Sequence, residues 1–258
     1  MIAIATPRQV APTAHFFVRL RVKPLTDLRG LQTQQFRRIS ERFAGMRDPV
    51  GPAICQILQD HLGGRIAGKR ILDVGNGGQD PSSIVGEDIA SKLSLFVGLD
   101  RSFEMLTRAP MSFPRVRGDG LCLPFADRSF DHVLINGVLH HLGYDTESGF
   151  NARVERFIQE LKRVSAGEIL VYEIFTPWPL EACEKAYAAA RGPMPTFVLS
   201  ERTLDRALGR IGLRRREVLT VTLSQLTGPF FWYLVMLDHP WLKLPACVSP
   251  FRHSFFTI

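Results

Sequence analysis

With 258 residues, 45% apolar and 22% charged, the chain has the length for one large core and the composition of an ordinary globular protein. Its four cysteines, Cys55, Cys122, Cys183 and Cys247, form no CxxC pair, which argues against a zinc site or disulfide frame, and its longest apolar run, at 230–237, is far too short to span a bilayer. The net charge of +7 is confined to one end: residues 1–47 hold nine Lys and Arg against Asp27 and Glu41, and the rest of the chain balances at 23 of each sign.

In chain order, residues 1–26 contain no acid and read as a basic extended arm, with "FFVRLRVK" alternating apolar and cationic side chains. Two helices follow over 27–67, one with its apolar stripe on Phe36, Ile39, Phe43 and Met46, the next on Val50, Ile54, Ile57, Leu58 and Leu62. "HLGG" stops the second. Strand and helix then alternate: "RILDV" as a strand, 82–92 as a helix, "LFVGLD" as a strand, a short helix from Ser102, and "HVLIN" as a strand. A helix through Val154, Phe157, Ile158, Leu161 and Val164 leads to the strand "EILVYEIF". Such alternation with continuously apolar strands predicts a parallel sheet covered on both faces. Ser200 reads as the N-cap of a helix ended by Gly212, and "EVLTVTLS" with "FWYLVML" as a closing antiparallel pair.

The informative stretch is "ILDVGNGGQDPS" at 71–82, a buried strand that ends in an acid and a glycine loop. Glycines there let the backbone turn sharply and approach a ligand, at the carboxyl end of a parallel strand where such folds bind. A dinucleotide fingerprint counted from Gly75 puts Asp80 at its last glycine, and no P-loop follows, so the ligand should lack phosphates. Asp100 ends the second strand, where a carboxylate can accept both hydroxyls of a ribose. Asp119 follows the third, where it can accept from an exocyclic amine, with the Gly120 N–H beside it for a ring nitrogen. Together these residues describe a pocket for an adenosine with a cationic centre.

"LDVGNGG", "VGLDRSFEML", "GDGLCLPFADRSFDHVLINGVLHHL" and "LSERTLDRALGRIGL" resemble successive motifs of a class I S-adenosylmethionine-dependent methyltransferase, of the small-molecule, quinone-biosynthesis-like group. The resemblance covers roughly residues 68–237. It implies an α/β, Rossmann-like, doubly wound seven-stranded sheet, mostly parallel with an antiparallel last strand, behind a helical N-terminal extension. It implies S-adenosyl-L-methionine as cofactor, with Asp73, Gly75, Asn76 and Gly77 at the methionine part. Asp100 and Arg101 fall at the ribose, Asp119 and Gly120 at the adenine, Asn136 and Gly137 beside the sulfonium. The family's third loop glycine falls on Gln79, and the span from Asp73 to Asp100 is longer than the family's usual one.

His140 and His141 follow the fourth strand and are the candidate bases, with local packing as the alternative; no metal is expected. Tyr172 and Glu173 read as core of the fifth strand, with pocket lining the alternative for one of them. Substrate selection is expected from the helices of 27–67, the insertion at 176–199 inside the domain at 68–240, and the tail at 241–258. Aromatic density between Phe230 and Phe256 suits an apolar or aromatic small-molecule substrate, with ordinary strand core accounting for at least half of it. A nucleic-acid substrate is the alternative that the basic segment supports, although "NGVL" lacks the Pro-Pro-aromatic pattern of base-amino methylation. A silent methyltransferase-like binding subunit is the third reading. The location is expected to be cytoplasmic. Organelle targeting by residues 1–26 stays open, although no serine precedes Ser40. The helices of 27–67, with Arg37, Arg38 and Arg42, are expected to border the substrate entrance as a lid.

Overall fold

The computed structural model describes residues 25–43, 51–107, 113–221 and 252–258. The basic arm, all but its last residues, and the "FWYLVML" strand predicted at 231–237 lie outside the described residues, as do the side chains of Arg38 and Arg42.

Two helices, α1 (Leu25–Phe43) and α2 (Gly51–Leu62), precede β1 (Arg70–Val74). The helix expected over 82–92 is two short ones, α3 (Pro81–Val85) and α4 (Glu87–Ala90), broken at Gly86. There the backbone sits at φ 84°, and a Cβ would strike the Gln59 side chain of α2. The chain continues with β2 (Leu95–Asp100), α5 (Phe103–Leu106), β3 (Arg115–Arg117), β4 (His132–Asn136), α6 (Glu147–Val164) and β5 (Ile169–Phe175). The insertion contains α7 (Trp178–Arg191), a helix that periodicity did not reveal. After α8 (Glu201–Arg210) come β6 (Arg216–Val221) and β7 (Arg252–Thr257).

Among the described residues the sheet has seven strands in the order β3-β2-β1-β4-β5-β7-β6. Neighbours from β3 to β5 are parallel, and β7 runs antiparallel between β5 and β6. The antiparallel last strand is therefore as expected in kind, but it comes from Arg252–Thr257, inside the segment predicted to be a tail. Phe255 and Phe256 point to opposite faces of the sheet and are both buried, so they are core and not pocket lining.

Alternation along each strand divides the core. Leu72, Val133, Val171 and Phe256 face α6 and α8, where Phe150, Val154, Phe157, Ile158 and Leu161 form a helical stripe. Ile71, Leu134, Leu170 and Phe255 face Ile57 and Leu58 of α2 and Ile84 and Val85 of α3. Each fully buried aliphatic side chain contributes roughly 1.5–3 kcal/mol. Order reverses between β1 and β4, so their carboxyl ends open the crevice where a ligand binds in such a sheet.

Candidate cofactor and acceptor site

Asp73 is the one acid in a strand otherwise apolar after its first residue, and it is 1% exposed. Its Oδ2 accepts from Asn76 Nδ2 at 2.7 Å, while Oδ1 is buried without a hydrogen-bond partner, as is Asn76 Oδ1. Burial pushes the Asp73 carboxyl up to about 7. The Asn76 bond pulls it down, and the charge of Asp100 pushes it further up.

Beyond Asp73 the loop runs through three left-handed glycines, with Gly75 at φ 79°, Gly77 at 61° and Gly78 at 78°. A Cβ on Gly75 would lie 2.5 Å from Val138 Cγ2, and one on Gly78 would lie 2.3 Å from the Met105 carbonyl oxygen. The family's third loop glycine is thus replaced one residue early: Gly78 supplies the left-handed turn, and Gln79 donates its N–H to the Asn76 carbonyl at 3.1 Å. The turn brings the Gly77 N–H to Asp100 Oδ2 at 3.0 Å, and the Ser102 N–H reaches Oδ1 at 2.8 Å. Burial raises the Asp100 carboxyl above its ordinary value, against the pull of those two backbone donors. Each oxygen keeps a further lone pair for another donor.

Asp119 turns its Oδ1 to the Leu121 N–H at 3.0 Å and its Oδ2 to Arg29 of α1 at 3.3 Å. Gly120 has a packing reason to be glycine, since a Cβ there would meet the Phe157 ring at 2.4 Å. Arg101 donates to Gln32 Oε1 at 2.9 Å. Asn136 ends β4 paired with Tyr172, and Gly137, at φ 64°, donates its N–H to the Tyr172 carbonyl at 2.9 Å.

The loop after β4 forms the other half. His140 is 1% exposed, and its Nδ1 lies 2.6 Å from Glu173 Oε1. The His141 ring lies 4.0 Å from that of His140, centroid to centroid, and 4.8 Å from Phe36, which meets it edge-on. Burial, then the neighbouring His140 and Arg101, hold His141 well below the ordinary histidine range, so it is neutral at pH 7. Its Nδ1 is 3.5 Å from Thr196 Oγ1, whose hydroxyl sits at the Gln35 amide, 2.8 Å from Nε2 and 3.0 Å from Oε1. Gln32 Nε2 donates to the His141 carbonyl at 2.5 Å. Behind this loop Arg153 of α6 forks onto Asp145 at 2.8 and 3.2 Å and donates to the carbonyls of Leu142 and Gly143. The 194–197 segment is tied on by Tyr144–Met194 backbone bonds and by the Phe197 N–H on the His140 carbonyl.

Helix α1 therefore lies across the mouth and touches both halves, through Arg29 and Gln32 on one side and Gln35 and Phe36 on the other. Sequence reasoning did not find Gln32, Gln35 or Thr196. Their partners lie 55 or more residues away, and neutral polar side chains carry no local signal. Glu173 did have one, a charge within a seven-residue strand buried throughout.

Residues 72–169 match the family model described as a methyltransferase domain. The likeness to S-adenosylmethionine-dependent methyltransferases is carried by this stretch, which is less than half of the chain. The chain is 33% identical, over 113 residues, to the demethylmenaquinone methyltransferase of Corynebacterium kroppenstedtii, covering 43% of this chain and 44% of that protein. The match thus spans less than half the length of that relative. Among solved structures, the complex of the Haloferax volcanii Trm112 methyltransferase activator with a methyltransferase is similar at TM-score 0.60 and 16% identity, covering 87% of this chain and 96% of that one. The cyclase SpnF is similar at TM-score 0.58 and 14% identity, covering 89% and 94%. A methyltransferase and a cyclase at like similarity show that such likeness establishes the fold and not the reaction. Among the described residues no helix is long and apolar enough to cross a membrane.

Proposed function

We propose that the chain binds S-adenosylmethionine at the strand ends of β1, β2 and β3 and transfers its methyl group to a small apolar or aromatic acceptor beside the loop after β4. The observation that carries this reading is the Gly77–Asp100–Ser102 arrangement next to buried Asp73. Both Asp100 oxygens are oriented by backbone N–H groups and retain acceptor capacity, and Asp73 Oδ1 is a buried acceptor without a partner. Such acceptors suit ribose hydroxyls and an ammonium group, and the glycine loop lets a ligand come close to backbone.

When bound, the cofactor supplies a methyl group already activated on a sulfonium. What remains for the chain is to align an acceptor, exclude water and take up a proton. Asp73 and Asn76 would hold the methionine part, Asp100 and Arg101 the ribose, and Asp119 and Gly120 the adenine. Asn136 and Gly137 would border the methyl group. Helix α1 would cover the acceptor, with Phe36 as its apolar contact. His140 or His141 would accept the proton. The similarity to a demethylmenaquinone methyltransferase supports an aromatic acceptor. Arg29 and Arg37 already face Asp119 and Glu104 within the chain, which counts against their presenting a free cationic face to a nucleic acid.

Incubation with labelled S-adenosylmethionine and a fractionated host extract tests the reading. Label is expected in a low-molecular-mass, organic-extractable product. Label in RNA would overturn the acceptor assignment, and no transfer from a chain that binds the cofactor would leave a silent binding subunit.

A further inference from the structure

Glu173 sits in the middle of β5, 0% exposed, yet it is ionisable and its strand is otherwise apolar save for Tyr172. Two of its three hydrogen bonds run to the loop that follows β4. Oε2 accepts the Leu139 N–H at 2.6 Å, and Oε1 accepts the Ile174 N–H at 2.9 Å and lies 2.6 Å from His140 Nδ1. Backbone donors occupy both oxygens, so the group acts as a carboxylate and the proton between it and His140 belongs to the imidazole. In that tautomer Nε2 carries the lone pair. Nε2 is buried and has no hydrogen-bond partner in the structure.

We infer that Glu173 is a positioning residue: it fixes His140 with its proton on Nδ1, so that Nε2 is the atom that takes the acceptor's proton during methyl transfer. The inference rests on the methyltransferase reading above and selects between its two histidines. The step balances without a further reactant. The acceptor's O–H or N–H proton passes to Nε2 as the bond from that oxygen or nitrogen to the methyl carbon forms. The carbon–sulfur bond breaks with its electron pair staying on sulfur, so the sulfonium becomes a thioether. The positive charge moves to the imidazolium, beside the Glu173 carboxylate that compensates it. Among the described residues His141 has no such carboxylate: its Nδ1 meets the Thr196 hydroxyl at 3.5 Å, and its surroundings disfavour the charged ring.

Glu173→Gln is the discriminating change, because it conserves shape while replacing one acceptor with an NH2 donor. A Gln cannot accept from Leu139 and from His140 at once. Keeping the Leu139 bond turns the NH2 toward His140 Nδ1 and forces the ring proton onto Nε2. The experiment is nitrogen NMR of the full chain labelled at histidine, with and without S-adenosylhomocysteine. It is paired with methyl transfer into the host-extract fraction that the wild-type chain labels.

The wild type should show His140 protonated on Nδ1, and Glu173→Gln should show it protonated on Nε2. Affinity for S-adenosylhomocysteine should stay within about twofold, while transfer falls about 100-fold or more, the usual scale for loss of proton-transfer catalysis. His140→Ala should lose as much, and the double variant no more. Glu173→Asp, which keeps the carboxylate, should restore the Nδ1 tautomer and part of the rate, and it serves as the test should the Gln variant not fold. An Nε2-protonated His140 in the wild type overturns the inference. So does a Glu173→Gln protein with the reversed tautomer and near wild-type transfer. The tautomer measurement needs no acceptor, so its failure is distinct from failure of the wild-type chain to bind S-adenosylhomocysteine, which would instead remove the methyltransferase reading.

Discussion

The two halves of the mouth are built differently. On the cofactor side, the loops after β1 and β2 are held by backbone: left-handed glycines, and N–H groups of Gly77 and Ser102 on a single carboxylate, across at most 23 residues of sequence. On the acceptor side, beyond β4, side chains meet side chains from distant segments, as Gln35 meets Thr196 across 161 residues and Glu173 meets His140 across 33. A backbone-defined site tolerates few residue types and changes little. A side-chain network can be altered one member at a time without unmaking the fold, which suits the half proposed to choose an acceptor.

The largest expected break is on the first side. Gly78→Ala places a Cβ against the Met105 carbonyl at an unfavourable φ, and should cost roughly 2–4 kcal/mol of stability, measured by denaturant unfolding. A neutral result would mean that the loop relaxes easily and that its backbone does not define the site.

Next come the buried carboxyls. Asp73 is raised from 3.8 to about 7, and Glu184, which accepts the Val198 N–H, from 4.5 to about 8 by burial. A carboxyl raised in the folded state stays protonated there while the unfolded chain ionises, so stability falls as pH climbs from the unfolded value to the folded one. His141 works the other way, because its depressed pKa lets stability fall as pH drops below about 6.5. Above that value only the carboxyls act. The ligand-free chain should therefore lose on the order of 1–3 kcal/mol between pH 6.5 and 8, visible as a falling Tm. Asp73→Asn should flatten part of that slope while weakening cofactor binding. A variant equally pH-sensitive would show that Asp73 is not the buried group responsible.

On the acceptor side the expected effects are smaller. A double-mutant cycle of Gln35→Ala with Thr196→Val should give a coupling of about 1 kcal/mol, the net worth of a buried hydrogen bond. A coupling near zero would mean that α1 is not latched there. Arg37→Ala, which removes an exposed pair 3.6 Å from Glu104, should change stability by less than about 0.5 kcal/mol. A larger loss would make charge, rather than Gln35 and Phe36, the hold of α1 on the mouth.

The same contrast explains what was legible in the sequence. Strand ends, the glycine loop and the acids after β1, β2 and β3 are local constraints, so "LDVGNGG" and "GLD" displayed them directly. Gly120 shows the limit of that legibility: its residue type is demanded by the Phe157 ring, 37 positions on, and no motif states it. The strand expected at 231–237 lies outside the described residues, and Arg252–Thr257 was not read as a strand because Phe255 and Phe256 are its apolar residues and its pairing with β5 is long-range. Helix α7 was missed because its turns mix alanine with Glu181 and Glu184, buried carboxyls that accept the backbone N–H groups of Ser200 and Val198. A carboxyl that accepts from a distant backbone N–H looks, in sequence, like one facing water.

The account's central claim is that the strand-end acids form a site for S-adenosylmethionine. Calorimetric titration of the full chain with that compound, beside Asp100→Ala, tests it most directly. One molecule should bind per wild-type chain, and the variant should bind at least about tenfold more weakly, since a charged acceptor is worth roughly 1.5–3 kcal/mol per hydrogen bond. No saturable binding by the folded wild type, or undiminished affinity in a folded Asp100→Ala protein, would contradict it.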